Sequence, residues 1–257
     1  MMLKKALLFL VIVALSGIPV RADEIRVAAA ADLNYAMKDL AAQFQQKTGN
    51  TVALSFGSSG NFYAQIQSGA PYDLFFSADT EYPKKLADAG KIDKAWVRTY
   101  ALGHLVLWIP NSSKLNLQKL KMDVLLQPSV KKIAIANPDH APYGQAAVAA
   151  LEHFQLKGLV SDKFVLGENI SQAAQFVQSG NAQAGLIAES LALSPAMKSA
   201  GRFWELPADS YPEIEQAAGV LSSSKHKQAA QAFLDFVASP EGTKILQQYG
   251  FGLPAHP

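Results

Sequence analysis

The sequence of 257 residues contains no cysteine. This absence excludes structural disulfides, thiolate metal sites and a lipid-modified cysteine at the N-terminus. Long apolar runs are almost lacking too: one unbroken run, 6–15, follows two lysines and precedes small residues near Ala22. This pattern predicts a secretory signal peptide over 1–22, cleaved after Ala22, and a periplasmic protein without membrane insertion. A bilayer-spanning helix would need about 18 apolar residues.

The chain also lacks an excess of charge of either sign. It has 23 basic and 21 acidic residues, and without 1–22, which hold three basic residues, 20 basic and 21 acidic residues remain. This balance gives no support for nucleic-acid binding or for a basic membrane-binding face. The remaining 235 residues are enough for one large or two small cores.

Motifs for catalysis and metal binding are missing as well. The five histidines are scattered, with no HExxH pair, and neither a phosphate loop nor a dinucleotide-binding glycine loop occurs. The stretch GSSG (57–60) lacks the Gly-x-Ser-x-Gly spacing of a hydrolase nucleophile. His140 lies near Tyr143 and is interpreted as a loop residue. The sequence therefore favours neither an enzyme nor a bound cofactor.

What is present is a repeated alternation of strand-like and helix-like segments. Strand patterns cover 25–29, 51–56, 72–79, 104–110, 131–138, 184–190 and 216–223. Helical spacing covers 33–48, a short segment after 58, 142–154, 170–179 and two segments near the C-terminus. Such alternation favours an α/β fold with mostly parallel sheets. Two lobes joined by short crossings fit it better than one sheet, although periodicity leaves this open.

Four segments share one design, in which a strand is followed by small or polar residues and then by a helix start. They are Ala30-Ala31-Asp32, Gly57-Ser58-Ser59-Gly60, Ala141-Pro142-Tyr143-Gly144 and Glu168-Asn169-Ile170-Ser171. Helix starts direct unpaired N–H groups outward at the carboxyl ends of strands and bind anions there. Each segment also has an ordinary interpretation: Asp32 as a helix N-cap, GSSG as a flexible turn, and the others as simple helix starts.

Over nearly the full mature length, the sequence resembles the periplasmic molybdate-binding proteins of bacterial ABC importers. The matching stretches are AAADLNYAM, FGSSGNFYAQIQSGAPYDLFFSAD, YALGHLVLWIP, IAIANPDHAPYGQAA, GENISQAAQFVQSGNAQAGLIA and ILQQYGFGLP. The resemblance implies a two-lobed periplasmic binding protein of type II, with mostly parallel sheets and the ligand in the interlobe cleft. Lobe 1 would hold 23–101 and 213–257, and lobe 2 would hold 102–212.

The resemblance also implies which residues bind the oxyanion. Asp32 and Ser59 would contribute from lobe 1, and Tyr143 and Ile170 from lobe 2 through backbone N–H groups, with Ala31 and Ser58 as additional candidates. The family more often has Ser or Asn where Asp32 stands. Many members also have a ligand-binding Tyr where this chain has Ala188, and the hydroxyl of Tyr143 would then compensate.

The implied ligand is molybdate, with tungstate as a near-equivalent, held as the oxyanion with no bond from protein atoms to the metal. The implied partners are an inner-membrane ABC permease and its ATPase, and the binding protein is expected to be a monomer. Phosphate, arsenate or sulfate on the same scaffold stays an alternative, as does a periplasmic oxyanion sensor.

Asp32 is the feature that keeps these alternatives open. An ionised carboxylate facing a dianion is unfavourable, whereas a protonated ligand oxygen, as in hydrogen phosphate, could donate to it. If the ligand is molybdate, we expect the carboxylate to turn back and cap the N–H groups of Asn34 or Tyr35. Backbone donors near Ala31 and Asp32 would then face the ion.

Overall fold

The computed structural model describes residues 23–255. The predicted signal peptide, 1–22, lies outside the described residues. Among the described residues there are ten strands: β1 (Glu24–Ala30), β2 (Thr51–Gly57), β3 (Leu74–Phe76), β4 (Arg98–Gly103), β5 (Leu105–Pro110), β6 (Ile133–Ala136), β7 (Phe164–Gly167), β8 (Ala184–Ala188), β9 (Gly201–Glu205) and β10 (Ile214–Val220).

Eleven α-helices accompany these strands over 23–255: α1 (Ala36–Thr48), α2 (Ser59–Gln67), α3 (Glu81–Asp88), α4 (Leu117–Leu120), α5 (Pro142–His153), α6 (Lys157–Val160), α7 (Ile170–Gln178), α8 (Glu189–Ala192), α9 (Pro195–Ala200), α10 (Lys227–Val237) and α11 (Pro240–Gln248). A short 3-10 turn, Ala31–Leu33, joins β1 to α1. In this part of the chain, no helix is both long and apolar enough to cross a membrane.

The strands form two separate five-stranded sheets, which define two lobes. The sheet of the first lobe has the order β2-β1-β3-β10-β4, and that of the second has the order β7-β6-β8-β5-β9. In the first sheet, β1 is parallel to β2 and β3, while β10 is antiparallel to β3 and β4. In the second, β6 is parallel to β7 and β8, while β5 is antiparallel to β8 and β9. Each sheet is therefore mostly parallel, with a single reversed strand.

The chain crosses between the lobes twice. The first crossing is the single residue between β4 and β5, and the second is the segment between β9 and β10. Because β4 runs to Gly103, the first sheet extends two residues beyond the expected lobe boundary at residue 101. The first lobe is thus built from two distant parts of the chain, whereas the second is continuous.

The core of the first lobe follows from the helical spacing after β1. Along α1, the residues at this spacing, Met37, Leu40 and Phe44 among them, are buried against the sheet. Phe44 packs against Phe233 of α10 with ring centroids 5.0 Å apart. Gly49 ends α1 with φ +77°, a left-handed conformation that favours glycine.

One strand is shorter than its sequence pattern predicts. We expect a strand over 72–79, but β3 covers only Leu74–Phe76. Asp73 and Asp79 flank this strand, and both carboxylates accept hydrogen bonds from backbone or side-chain donors. Asp73 accepts from Arg26 N and Ser224 Oγ, and Asp79 accepts from Tyr82 N. Backbone hydrogen bonds to Arg26 and Leu221 at Asp73, and to Ala217 at Ser77 and Asp79, continue the pairing a little beyond the assigned strand.

Candidate functional site

The predicted site residues meet in one small cavity between the lobes. All six candidates, Ala31, Asp32, Ser58, Ser59, Tyr143 and Ile170, line it, together with Ala30, Gly57, Ala78, Ala141 and Pro142. The volume of this cavity is about 10 Å3. A larger open groove at the other end of β1, around Asp23, Arg26 and Tyr72, contains none of the predicted residues.

Helix starts from both lobes point into this cavity. Ser59, Tyr143 and Ile170 occupy the first turns of α2, α5 and α7, where a helix offers no backbone acceptor to its N–H groups. The Oγ of Ser58 caps α2 at the N–H of Asn61, and Asn169 caps α7. Because these caps use N–H groups deeper in the helices, the first N–H groups remain oriented toward the cavity.

The hydroxyl of Ser59 is placed as a donor. Its Oγ accepts a hydrogen bond from the backbone N–H of Ala78 at 2.9 Å, and the residue is buried. Since this acceptor role is filled by the protein, the O–H of Ser59 is available for an oxygen atom in the cavity.

Asp32 does not cap its own helix, so this expectation was wrong. Asp32 lies inside the 3-10 turn, whose N-cap residue is Ala30. The N-cap residue of α1 is Tyr35, and neither the 3-10 turn nor α1 has a side-chain hydrogen bond at its N-cap. The intervening turn displaces Asp32 from the position that precedes α1. Its Oδ2 instead accepts from Nε2 of Gln216 at 2.6 Å, while its Oδ1 is buried without a hydrogen-bond partner.

Gln216, on the reversed strand β10, is the residue that sequence reasoning missed. The Tyr100 hydroxyl donates to Gln216 Oε1 at 2.6 Å, and Gln216 Nε2 also lies 3.3 Å from the hydroxyl of Tyr143. The amide therefore joins the Asp32 carboxyl of the first lobe to Tyr143 of the second. A polar residue at a fully buried position of an apolar strand was the available signal.

Burial dominates the electrostatics of this network. It raises the pKa of Asp32 to about 6, and hydrogen bonds with Gln216 and Tyr143 partly oppose that rise. Burial, and then the nearby charge of Asp32, raise the pKa of Tyr143 and of Tyr100 well above the usual range. Both tyrosines therefore remain neutral hydroxyls at any physiological pH.

Direct hydrogen bonds hold the lobes against each other around the cavity. Ser171 Oγ donates to the carbonyl of Ala31 and Ser190 Oγ donates to the carbonyl of Asp32, both at 2.8 Å. On the α2 side, Gly60 N donates to the carbonyl of His140 at 3.0 Å. The ring Nδ1 of His140 lies 2.9 Å from Ser58 Oγ. The lobes are thus closed on the cavity, and His140 takes part in closure.

Charged donors and metal ligands are absent from the described walls. Within residues 23–255, no Lys or Arg lines the cavity, and no group of three His, Asp or Glu side chains could hold a metal ion. Ala188 ends β8 and is buried without a polar side chain. An anion in this cavity would be held by backbone N–H groups and neutral side chains.

Comparison with known proteins adds a full-length similarity to this geometry. The sequence model of the family described as bacterial extracellular solute-binding protein matches residues 25–252. Molybdate-binding protein ModA of Azotobacter vinelandii is 41% identical over 91% of each chain, and ModA of Escherichia coli is 33% identical over 90% of each chain. The solved A. vinelandii periplasmic molybdate-binding protein has a TM-score of 0.83 at 36% identity, covering 90% of this chain and 99% of that one.

Proposed function

Because the chain belongs to the bacterial extracellular solute-binding proteins, and among them to the ModA family of molybdate-binding proteins, we propose that its cleft captures molybdate. We propose further that tungstate, nearly the same size, binds in the same way, and that the protein delivers the ion to an ABC permease and its ATPase. The relatives are binding proteins, and this chain likewise binds its ligand without transforming it. It acts in the periplasm as a monomer.

The convergence of three helix starts from two lobes is the observation that carries this proposal. The first-turn N–H groups at Ser59, Tyr143 and Ile170, with the Ser59 hydroxyl, supply neutral donors for the four oxygens of a tetrahedral dianion. Oriented amide dipoles in a cleft shielded from water replace the hydration shell of an anion without a cationic side chain. The small buried cavity favours a compact oxyanion over an organic solute.

The Asp32 carboxyl supports a second class of ligand, oxyanions that carry a proton. Oδ1 of Asp32 has no hydrogen-bond partner in the structure, so an ionised Asp32 could accept a hydrogen bond from a ligand oxygen that carries a proton. Hydrogen phosphate and hydrogen arsenate carry such a proton, whereas molybdate and sulfate do not at neutral pH. Phosphate or arsenate binding is therefore the alternative that this side chain supports.

Ligand binding and lobe closure would be coupled through the cleft walls. The ion would contact first-turn N–H groups from both lobes, so it favours the closed arrangement in which those groups converge. The closed face is then the surface that a transporter recognises. The same closed form could report to a sensor partner, and a gene neighbourhood with permease and ATPase genes favours transport over sensing.

A thermal-shift titration of ion-free protein tests the ligand. Molybdate, tungstate, sulfate, phosphate and arsenate are added separately. Tight binding to the folded protein adds about 4 kcal/mol to the free energy of unfolding when the ligand is at 1,000 times Kd, and this raises Tm. We expect large shifts with molybdate and tungstate. A shift with phosphate or arsenate and none with molybdate or tungstate would contradict the proposal.

The Ser59→Ala variant tests the site. Loss of the hydroxyl donor is expected to weaken molybdate binding while the fold is kept. Ser68→Ala is the matched control, because Ser68 ends the same helix and is exposed. Equal affinities in the two variants would remove Ser59 from the ligand donors.

A further inference from the structure

The two oxygens of the Asp32 carboxyl have different surroundings. Oδ2 accepts a 2.6 Å hydrogen bond from Gln216 Nε2, whereas Oδ1 is buried and has no hydrogen-bond partner. The Tyr100 hydroxyl donates to Gln216 Oε1, and this bond holds the amide with its NH2 group toward Asp32. Oδ2 is therefore fixed as the acceptor oxygen, and Oδ1 is the oxygen that a proton would occupy.

The groups that face Asp32 from the surrounding elements provide no positive charge. They are Gln216 on β10, Tyr100 on β4, Tyr143 on α5, Ser59 on α2, Ser171 on α7 and Ser190 on α8. In the described part of the chain, no ion pair includes Asp32, and His140 reaches the cavity wall only through Ser58. Hydrogen bonds from Gln216 and Tyr143 and from the backbone N–H groups of Asp32 and Leu33 offset only part of the cost of burying an ionised carboxylate, and no positive charge compensates it beside a dianion.

Protonation removes this conflict and creates a donor. Two negative groups in a cavity of low dielectric constant repel strongly, whereas a neutral carboxylic acid donates its O–H to an oxyanion. A buried oxygen without a partner is unfavourable as well, and an O–H bonded to a ligand oxygen would satisfy it. The same proton therefore satisfies the carboxyl group and the anion.

We propose that Asp32 is a specificity-determining residue of this cleft and binds its dianion as the neutral carboxylic acid, so that binding to a cleft with Asp32 ionised takes up one proton. The inference rests on the proposed oxyanion function. The proton comes from solvent and attaches to Oδ1; no other bond forms or breaks, and the ligand stays a dianion. An oxyanion that brings its own proton would not need this uptake, so the cleft distinguishes ligands by protonation state.

A definite pH dependence follows. Burial raises the pKa of Asp32 to about 6, so the carboxyl group of the ligand-free cleft is mostly ionised above that pH. The bound dianion raises this pKa further, and binding above pH 6 then requires proton uptake. The affinity for molybdate is expected to fall by up to about tenfold per pH unit above pH 6 and to level off below it.

Isothermal titration calorimetry with molybdate measures the uptake directly. Wild type is titrated at pH 7.5 in three buffers of different ionisation enthalpy, and the slope of the observed enthalpy gives the number of protons bound. We expect about one proton for wild type and none for Asp32→Asn, whose affinity should not vary with pH. The control is Asp79→Asn: Asp79 is another largely buried acid with a raised pKa, lies outside the cavity wall, and should leave the uptake unchanged.

The outcomes separate this inference from the proposed function. Tight molybdate binding by wild type without proton uptake overturns the role of Asp32 and leaves molybdate capture intact. Uptake that persists in Asp32→Asn assigns the proton to another group and also overturns it. Absence of molybdate binding by wild type contradicts the proposed function itself. The number of protons taken up by the wild type alone can overturn the inference, so the test remains valid even if a variant folds poorly.

Discussion

Replacement of Gly60 by alanine should block closure of the lobes without damage to either of them. Gly60 is the second residue of α2, and its N–H donates to the carbonyl of His140 in the opposite lobe. A Cβ atom at this position would lie 2.8 Å from both Cβ and O of His140, and 2.7 Å from the hydroxyl of Tyr82. The Tyr82 hydroxyl can move, but the His140 backbone can withdraw only if the lobes separate.

The expected effect follows from two contributions. Overpacking in a tight contact destabilises by about 1–3 kcal/mol. Loss of the hydrogen bond between the lobes adds about 0.5–1.5 kcal/mol. Together they disfavour the closed form by about 1.5–4.5 kcal/mol, which corresponds to about 10- to 1,600-fold weaker ligand binding. Alanine is a better helix former than glycine, so the stability of the ligand-free first lobe should not fall.

Calorimetric titration with molybdate measures this loss, and Tm of the ligand-free protein checks the fold. Gly158→Ala is the matched control, since Gly158 lies in α6 and an added Cβ atom there meets no atom within 4 Å. A Gly60→Ala protein that binds as tightly as wild type would show that the contact between α2 and His140 is not part of the ligand-bound form.

Three further results are expected. Tyr143→Phe removes the hydroxyl that accepts from Gln216, and a net hydrogen-bond contribution of about 1 kcal/mol predicts about fivefold weaker molybdate binding by calorimetry. Phe44→Ala should lower the free energy of unfolding by about 3–5 kcal/mol in urea titrations and leave the affinity unchanged, because Phe44 is buried in the core of the first lobe and does not line the cavity. For Glu189, burial and then the charge of Glu205 raise the pKa to about 7, so its contribution to stability is present below its unfolded pKa and is lost as pH rises through 7. Melting curves from pH 4 to 8 should therefore decline less for Glu189→Gln than for wild type, and parallel curves would refute this assignment.

Local patterns predicted most of the elements that carry the site. The spacing of Met37, Leu40 and Phe44, followed by Gly49, is set by contacts within a few turns, and α1 (Ala36–Thr48) covers the expected 33–48 except for its first three residues. The strand-to-helix junctions at Ser59 and Ile170 are local as well, and the structure brings both into the cavity. Residues close in sequence determine such features, so sequence alone was enough for them.

Contacts between residues far apart in sequence could not be predicted from these local patterns. The orientation of the Asp32 carboxyl depends on Gln216, which lies 184 residues later in the chain, and on the 3-10 turn that displaces Asp32 from the helix start. Capping preferences describe only neighbours in sequence, so they assigned the carboxyl to its own helix. Periodicity likewise could not show that Gln216 faces the interior between Tyr100 and Tyr143.

The position of β10 has a consequence for the order in which the molecule assembles. β10 is the strand that links β3 to β4 in the first sheet, and it is the last strand of the chain. A polypeptide that emerges N-terminus first already contains the whole second sheet, β5 to β9, before β4 has its sheet neighbour. The first lobe therefore begins the chain but can be completed only at its end. Gln216 belongs to β10, so the Asp32 carboxyl can form its hydrogen bond with Gln216 only after β10 has paired between β3 and β4.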